Sequence, residues 1–98
     1  MEVAFDDDAL DRLETDPGFN AGFSDSVVKA YRKRMQQIRA AEDERAFYAL
    51  KSLHFEKLRG DRIGQYSMRL NDQWRLIIKL NDEQSKKTVV VTEIIDCH

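Results

Sequence analysis

Between residues 24 and 41, Val27, Tyr31, Met35 and Ile38 recur at spacings of four, four and three. Lys29, Arg32, Lys33 and Arg39 fall mostly off that line. The pattern is a single apolar stripe on a 3.6-residue period and predicts a helix. Ser24 or Asp25 can cap its start. Before it, "DDDALDRLETD" reads as a short acid-started helix, closed by the turn signal "TDPGFN" around the only proline. After it, "DERAFYALKSL" predicts a third short helix, and "VAF" at residues 3–5 predicts a short opening strand.

From Ile63 onward the period changes to two. "QYSMRL" alternates Tyr66, Met68 and Leu70 with Gln65, Ser67 and Arg69. "WRLIIKL" alternates Trp74, Leu76, Ile78 and Leu80 with Arg75, Ile77 and Lys79. Asn71-Asp72 marks the turn between them. A two-residue loop would pair Arg69 with Trp74 and mix the faces. A loop over residues 71–73 pairs Leu70 with Trp74, Met68 with Leu76 and Tyr66 with Ile78, giving one apolar face. "KKTVVVTEIIDCH" then forms the last strand, after a polar turn from Asn81 to Lys87. The expected fold is α+β, with N-terminal helices packed on one face of a small antiparallel sheet, a three-strand meander.

That register sets Arg69 directly opposite Arg75 on the other face, and like charges so placed are destabilising by up to about 1 kcal/mol. An anion should compensate: a neighbouring acid such as Asp96 or Glu93, or a ligand phosphate. Charge is uneven along the whole chain. Residues 1–20 carry seven acids and one base, whereas residues 51–79 carry seven bases and three acids, within a net charge of −2. An acidic total argues against non-specific nucleic-acid binding, while a basic middle can still hold an anion. The length of 98 residues fits one domain across residues 1–98. Short apolar runs such as "LII" and "VVV", and an acidic start without a signal-peptide pattern, predict a cytoplasmic protein with no membrane partner. One cysteine cannot close an internal disulfide.

Candidate proton-transfer groups are few, since the chain holds two histidines, His54 and His98. Asp96 and His98 are two residues apart, so in a continuous strand both leave the same face and Cys97 the other. That face is expected to be the one carrying Arg69 and Arg75, away from the helices. One imidazole accepting a proton and another donating one, beside arginines, meets the needs of metal-free phosphodiester cleavage. The structural alternative has His54 packing or capping and His98 in solvent. Zinc is a third reading of His54, His98, Cys97 and Asp96, but no CxxC, HxxxH or HExxH spacing is present. Trp74, Tyr66 and Met68 read as core before they read as a base-stacking platform. "RKRMQQIR" reads as a solvated helix face, and "LRGDRIG" as a charged turn without phosphate-loop spacing.

"SLHFEKLRGDRIGQYSMRLNDQWRLIIKL", followed by a terminal Asp-X-His, resembles the HigB toxins of bacterial type II toxin–antitoxin systems, within the RelE/ParE superfamily. The motifs cover roughly residues 50–98; the N-terminal half agrees only in its helical layout. The resemblance implies a toxin that enters the ribosomal A site and cleaves translated mRNA without metal or cofactor. It also implies a helix-turn-helix antitoxin of the HigA type, which neutralises the toxin and through which alone the complex meets promoter DNA. His54, Asp96 and His98 correspond to catalytic positions. Arg75 and Lys57 match basic positions expected at the scissile phosphate, and Arg62 and Arg69 match further basic positions of the motifs. Cys97 stands where the family usually has tyrosine. That departure is expected to weaken cleavage, shift codon preference or mark a toxin acting mainly as antitoxin-bound co-repressor. A ParE-like gyrase inhibitor is the rival, because it would not require His54, Asp96 and His98 together.

Overall fold

The computed structural model describes residues 1–83 and 86–96 of the chain. Three helices precede the main hairpin: α1 (Asp8–Thr15), α2 (Asp25–Ala40) and α3 (Arg45–Ala49). Each long helix starts where the sequence provides a cap. Asp7 accepts a hydrogen bond from the backbone N–H of Ala9 at 2.8 Å, and the Ser24 hydroxyl accepts from that of Val27 at 3.4 Å. The predicted stripe is the buried face of α2, with Val27, Tyr31, Met35 and Ile38 all in the core. Among the described residues no helix is long and apolar enough to cross a membrane.

The sheet has five strands rather than three. β1 (Glu2–Phe5), β2 (Glu56–Lys57), β3 (Gln65–Arg69), β4 (Trp74–Glu83) and β5 (Lys86–Asp96) lie in the order β1-β5-β4-β3-β2. β1 pairs with β5 in parallel, so the sheet is mostly, not wholly, antiparallel. The expected hairpin register is present: Tyr66 faces Ile78, Met68 faces Leu76 and Arg69 faces Arg75. The Asn71 side chain builds the loop, its Oδ1 accepting from the backbone N–H groups of Gln73 at 2.9 Å and Trp74 at 2.8 Å. The expected polar turn from Asn81 to Lys87 is largely strand. Asn81 pairs with Thr88, Asp82 with Lys87 and Glu83 with Lys86.

One core joins Leu10 and Leu13 of α1, the α2 stripe and Phe47 of α3 to Met68, Leu76, Ile78, Val89 and Val91 of the sheet. Those strand residues share one face, so the helices cover that face alone. Tyr66 and Trp74 pack at the margin of the core. Tyr66 stacks on Phe55 with centroids 5.2 Å apart, and Trp74 meets Phe23 edge-on at 5.6 Å.

β5 carries a bulge. Ile78 pairs with Val91 but Ile77 pairs with Glu93, which leaves Thr92 between them without a partner in register. The Thr92 hydroxyl donates to the carbonyl of Ile77 at 2.9 Å. One extra residue reverses the inside-outside alternation of everything after it. Ile94 therefore joins Leu76 on the core side, and Glu93 stays out of the core.

Candidate active site

A short 3-10 turn, Lys51–Leu53, delivers the chain to His54, which takes a left-handed backbone conformation (φ 46°, ψ 48°). A residue with a Cβ pays roughly 1 kcal/mol there. The kink lets Leu53 and Phe55 both enter the core while the exposed imidazole is left on the sheet face away from the helices. Two arginines meet His54 on that face. Arg69 Nη1 lies 3.4 Å from His54 Nε2, and Arg75 Nη2 donates to the His54 carbonyl oxygen at 2.6 Å.

Opposed in register, the two arginines diverge at their tips. Arg69 Nη2 turns to Asp72 in the hairpin loop. Arg75 turns the other way: its Nε donates to the Ser67 hydroxyl at 2.9 Å, and Nη2 lies 3.5 Å from Glu56 Oε1. The like-charge conflict is thus met by Asp72 and Glu56. Neither Asp96 nor Glu93 plays the part expected of it. Arg75 is mostly buried, its side chain 18% exposed, while Nη1 donates to no group among the described residues. Arg69 is also fixed from below, because Arg34 Nε of α2 donates to its carbonyl at 2.8 Å. Burial, and then the Arg69 charge, lower the Arg34 guanidinium below its ordinary pKa.

Glu93 pairs instead with Arg62, Oε1 to Nη1 at 2.6 Å, and Arg62 Nη1 also donates to Gln65 Oε1 at 3.0 Å. Arg62 belongs to the second 3-10 turn, Gly60–Arg62, whose Gly60 has φ +65°, a conformation that side chains resist. Lys57 is exposed on the edge strand β2. Its register partner is Tyr66, so it stands on the helix-covered side of the sheet and not beside Arg75.

Asp96 also differs from expectation. The bulge places it opposite Trp74 and places Ile95 opposite Arg75, so Asp96 is on the helix side and not on the face of the arginines. Its Oδ2 accepts from Gln73 Nε2 at 3.0 Å. Cys97 and His98 lie outside the described residues, as does any test of the catalytic role expected of His98. Among the described residues no three His, Cys, Asp or Glu side chains cluster as metal ligands do. A groove of about 930 Å³ runs between residues 17–20 and the outer side of α2, but none of the expected site residues lines it.

The geometry therefore gathers His54, Arg69 and Arg75, with Glu56 and Ser67 as their partners, and sets Lys57 and Asp96 apart. Ser67 and Glu56 were not anticipated. A serine at an outward position of an alternating strand carries no signal by itself; the like-charge pair beside it was the available clue.

Residues 3–98 match the family described as RelE-like toxin of type II toxin-antitoxin system HigB. The chain belongs to this family. The fold of this HigB-like toxin is shared with solved structures of low sequence identity. It is similar to the "YoeB/ParE toxin from Agrobacterium tumefaciens" at 15% identity and a TM-score of 0.64, over 100% of both chains. It is similar to the toxin fold in the "YoeB-YefM complex from Staphylococcus aureus" at 18% identity and a TM-score of 0.60, over 100% of this chain and 97% of that one. A Helicobacter pylori protein, HP0894, shares the fold at 13% identity and a TM-score of 0.54, over 98% of this chain and 93% of that one. No curated protein matches the sequence.

Proposed function

We propose that this HigB-like toxin is a ribosome-dependent endoribonuclease that cuts translated mRNA. The observation that supports the reading best is His54, exposed and bracketed by two arginines, with Arg75 Nη1 bonded to no group among the described residues. In the proposed step His54 takes the proton of a 2′-hydroxyl, and that oxygen attacks the adjacent phosphorus. The P–O5′ bond breaks, leaving a 2′,3′-cyclic phosphate, and the departing 5′-oxygen takes a proton from His98. Arg75 and Arg69 stabilise the charge that builds on the phosphoryl oxygens. RNA supplies its own nucleophile, so neither metal nor cofactor enters the scheme. Arg62 contacts a neighbouring phosphate, Lys57, on the other side of the edge strand, meets the RNA farther from the cut, and Cys97 contributes to binding the message. Asp96, bound to Gln73, is assigned a positioning role in this scheme.

The total charge is acidic. Docking therefore falls to the ribosomal A site, which presents the message to the toxin. The same reading makes a helix-turn-helix antitoxin of the HigA type the neutralising partner in the cytoplasm, and promoter DNA a target only through that antitoxin.

Primer extension on a reporter mRNA in reconstituted translation tests the proposal, with the native chain and with Cys97→Tyr. Cuts within the reading frame that vanish without ribosomes, and that leave 5′-hydroxyl ends, are expected. Absence of cuts from both proteins, with DNA supercoiling defects in cells, would replace the nuclease with a gyrase inhibitor. Cuts from Cys97→Tyr alone would make the native chain a disabled toxin retained as co-repressor.

A further inference from the structure

Ser67 is buried, 1% exposed, near the middle of β3 on the face away from the helices. Branched or aromatic residues are favoured in such a place, and a hydroxyl removed from water there is costly unless it finds a partner. Its partner is Arg75. Arg69 is the direct neighbour of Arg75 across the hairpin, and Ser67 lies diagonally, opposite Ile77. To bond Ser67, the Arg75 side chain leans across β3. On the far side of Ser67 lies Glu56, its register partner in β2 and the acid paired with Arg75 among the described residues. The small serine leaves a path over the sheet that a larger residue would fill.

Three groups thus fix the guanidinium. Nε is taken by Ser67 at 2.9 Å, and Nη2 by the His54 carbonyl at 2.6 Å with Glu56 behind it. A guanidinium is planar and donates in a fixed fork, so holding Nε and Nη2 determines where Nη1 points. We propose that Ser67 is a positioning residue, which holds Arg75 across the strand so that Nη1, bonded to no group among the described residues, meets the scissile phosphate beside His54. What Nη1 meets rests on the nuclease reading; how Arg75 is held rests on the hydrogen bonds alone.

Two measurements on the full chain test this. The first is solvent exchange of the Arg75 Nε–H, followed by NMR in the native protein, Ser67→Ala and Ser67→Thr. The second is single-turnover mRNA cleavage on programmed ribosomes by the same proteins, each with and without Arg75→Ala. Exchange is expected to speed up by about tenfold in Ser67→Ala and to stay near native in Ser67→Thr, which keeps the acceptor. Cleavage should slow by about tenfold in Ser67→Ala, recover in Ser67→Thr, and show no further loss when Ser67→Ala is added to Arg75→Ala. Unchanged exchange in Ser67→Ala, or losses that multiply in the double variant, would overturn the role. If the native chain cuts no mRNA, the nuclease reading falls, and the exchange result alone upholds or overturns the hold of Ser67 on Arg75.

Discussion

Arg75 Nη2 donates to the backbone carbonyl of His54 at 2.6 Å, across 21 residues of sequence. The arginine therefore grips the backbone of His54 rather than its imidazole, and Arg69 is the cation beside the ring. Backbone and side chain of one residue serve two cations, and the left-handed turn at His54 makes both reachable.

On the nuclease reading, that division separates chemistry from scaffolding at position 54. His54→Gly removes the imidazole, keeps the carbonyl for Arg75, and relieves the positive φ. Its folding stability in urea is expected to equal or exceed the native value by up to about 1 kcal/mol. Its mRNA cleavage is expected to fall by about 10²–10⁴-fold, as for a lost general base. A stability loss above that margin would show that the ring packs instead of reacting.

Arg75→Lys tests the fork. Lysine keeps the charge but cannot engage Ser67, the His54 carbonyl and an anion along three fixed directions. Cleavage by Arg75→Lys should fall by about 10²-fold or more. Near-native rates in the same primer-extension assay would reduce Arg75 to a source of charge.

The Asn71 loop sets the register that opposes Arg69 and Arg75. Asn71→Ala removes the acceptor for two backbone N–H groups and should cost about 1 kcal/mol in urea unfolding. Asn71→Asp retains the acceptor and should stay within about 0.5 kcal/mol of native. Equal losses from both would shift the cause from the hydrogen bonds to the amide itself.

Tyr31 is fully buried in α2, and its hydroxyl donates to the Leu10 carbonyl of α1 at 2.7 Å. Burial raises its pKa well above the ordinary range, with Glu14 and Asp11 acting the same way. Tyr31→Phe should destabilise by about 1–2 kcal/mol, because the Leu10 carbonyl loses its partner. Cleavage per folded molecule should not change. A native melting curve for Tyr31→Phe would deny this contact any part in stability.

Acid should weaken the tie between the start of α3 and the sheet. Lys87 Nζ lies 2.9 Å from both carboxylate oxygens of Glu44, and the bond to Lys87 lowers the Glu44 pKa below its ordinary 4.5. A carboxylate depressed by folding contributes stability that is complete above its unfolded pKa and is lost as pH falls through the folded value. The melting temperatures of the native chain and Glu44→Gln should therefore differ at neutral pH, and the gap should narrow steadily below pH 4.5. A gap constant down to strongly acidic pH would mean that the pair adds no proton-linked stability.

Local physics made much of this protein legible without coordinates. The α2 stripe is buried because a 3.6-residue period can face only one way, and Ser24 caps α2 because its hydroxyl reaches a free N–H. The hairpin register followed from keeping Tyr66, Met68 and Leu70 on one face. The Arg69–Arg75 opposition came with it. His54 was marked by its scarcity and by the motif around it.

Tertiary structure decided the rest. Alternation assumes an unbroken strand, and the bulge at Thr92 breaks it, moving Asp96 to the helix side. The shift of apolar positions from Val89 and Val91 to Ile94 was its faint trace in the sequence. β1 joins the sheet by pairing with the chain's last described strand, a contact between segments about ninety residues apart that no local period encodes. Long side chains choose partners by reach, so Arg75 passes its register neighbour for Ser67, Glu56 and the His54 carbonyl. Sequence pattern determined which residues share a face; only the assembled sheet decided which atoms on that face could touch.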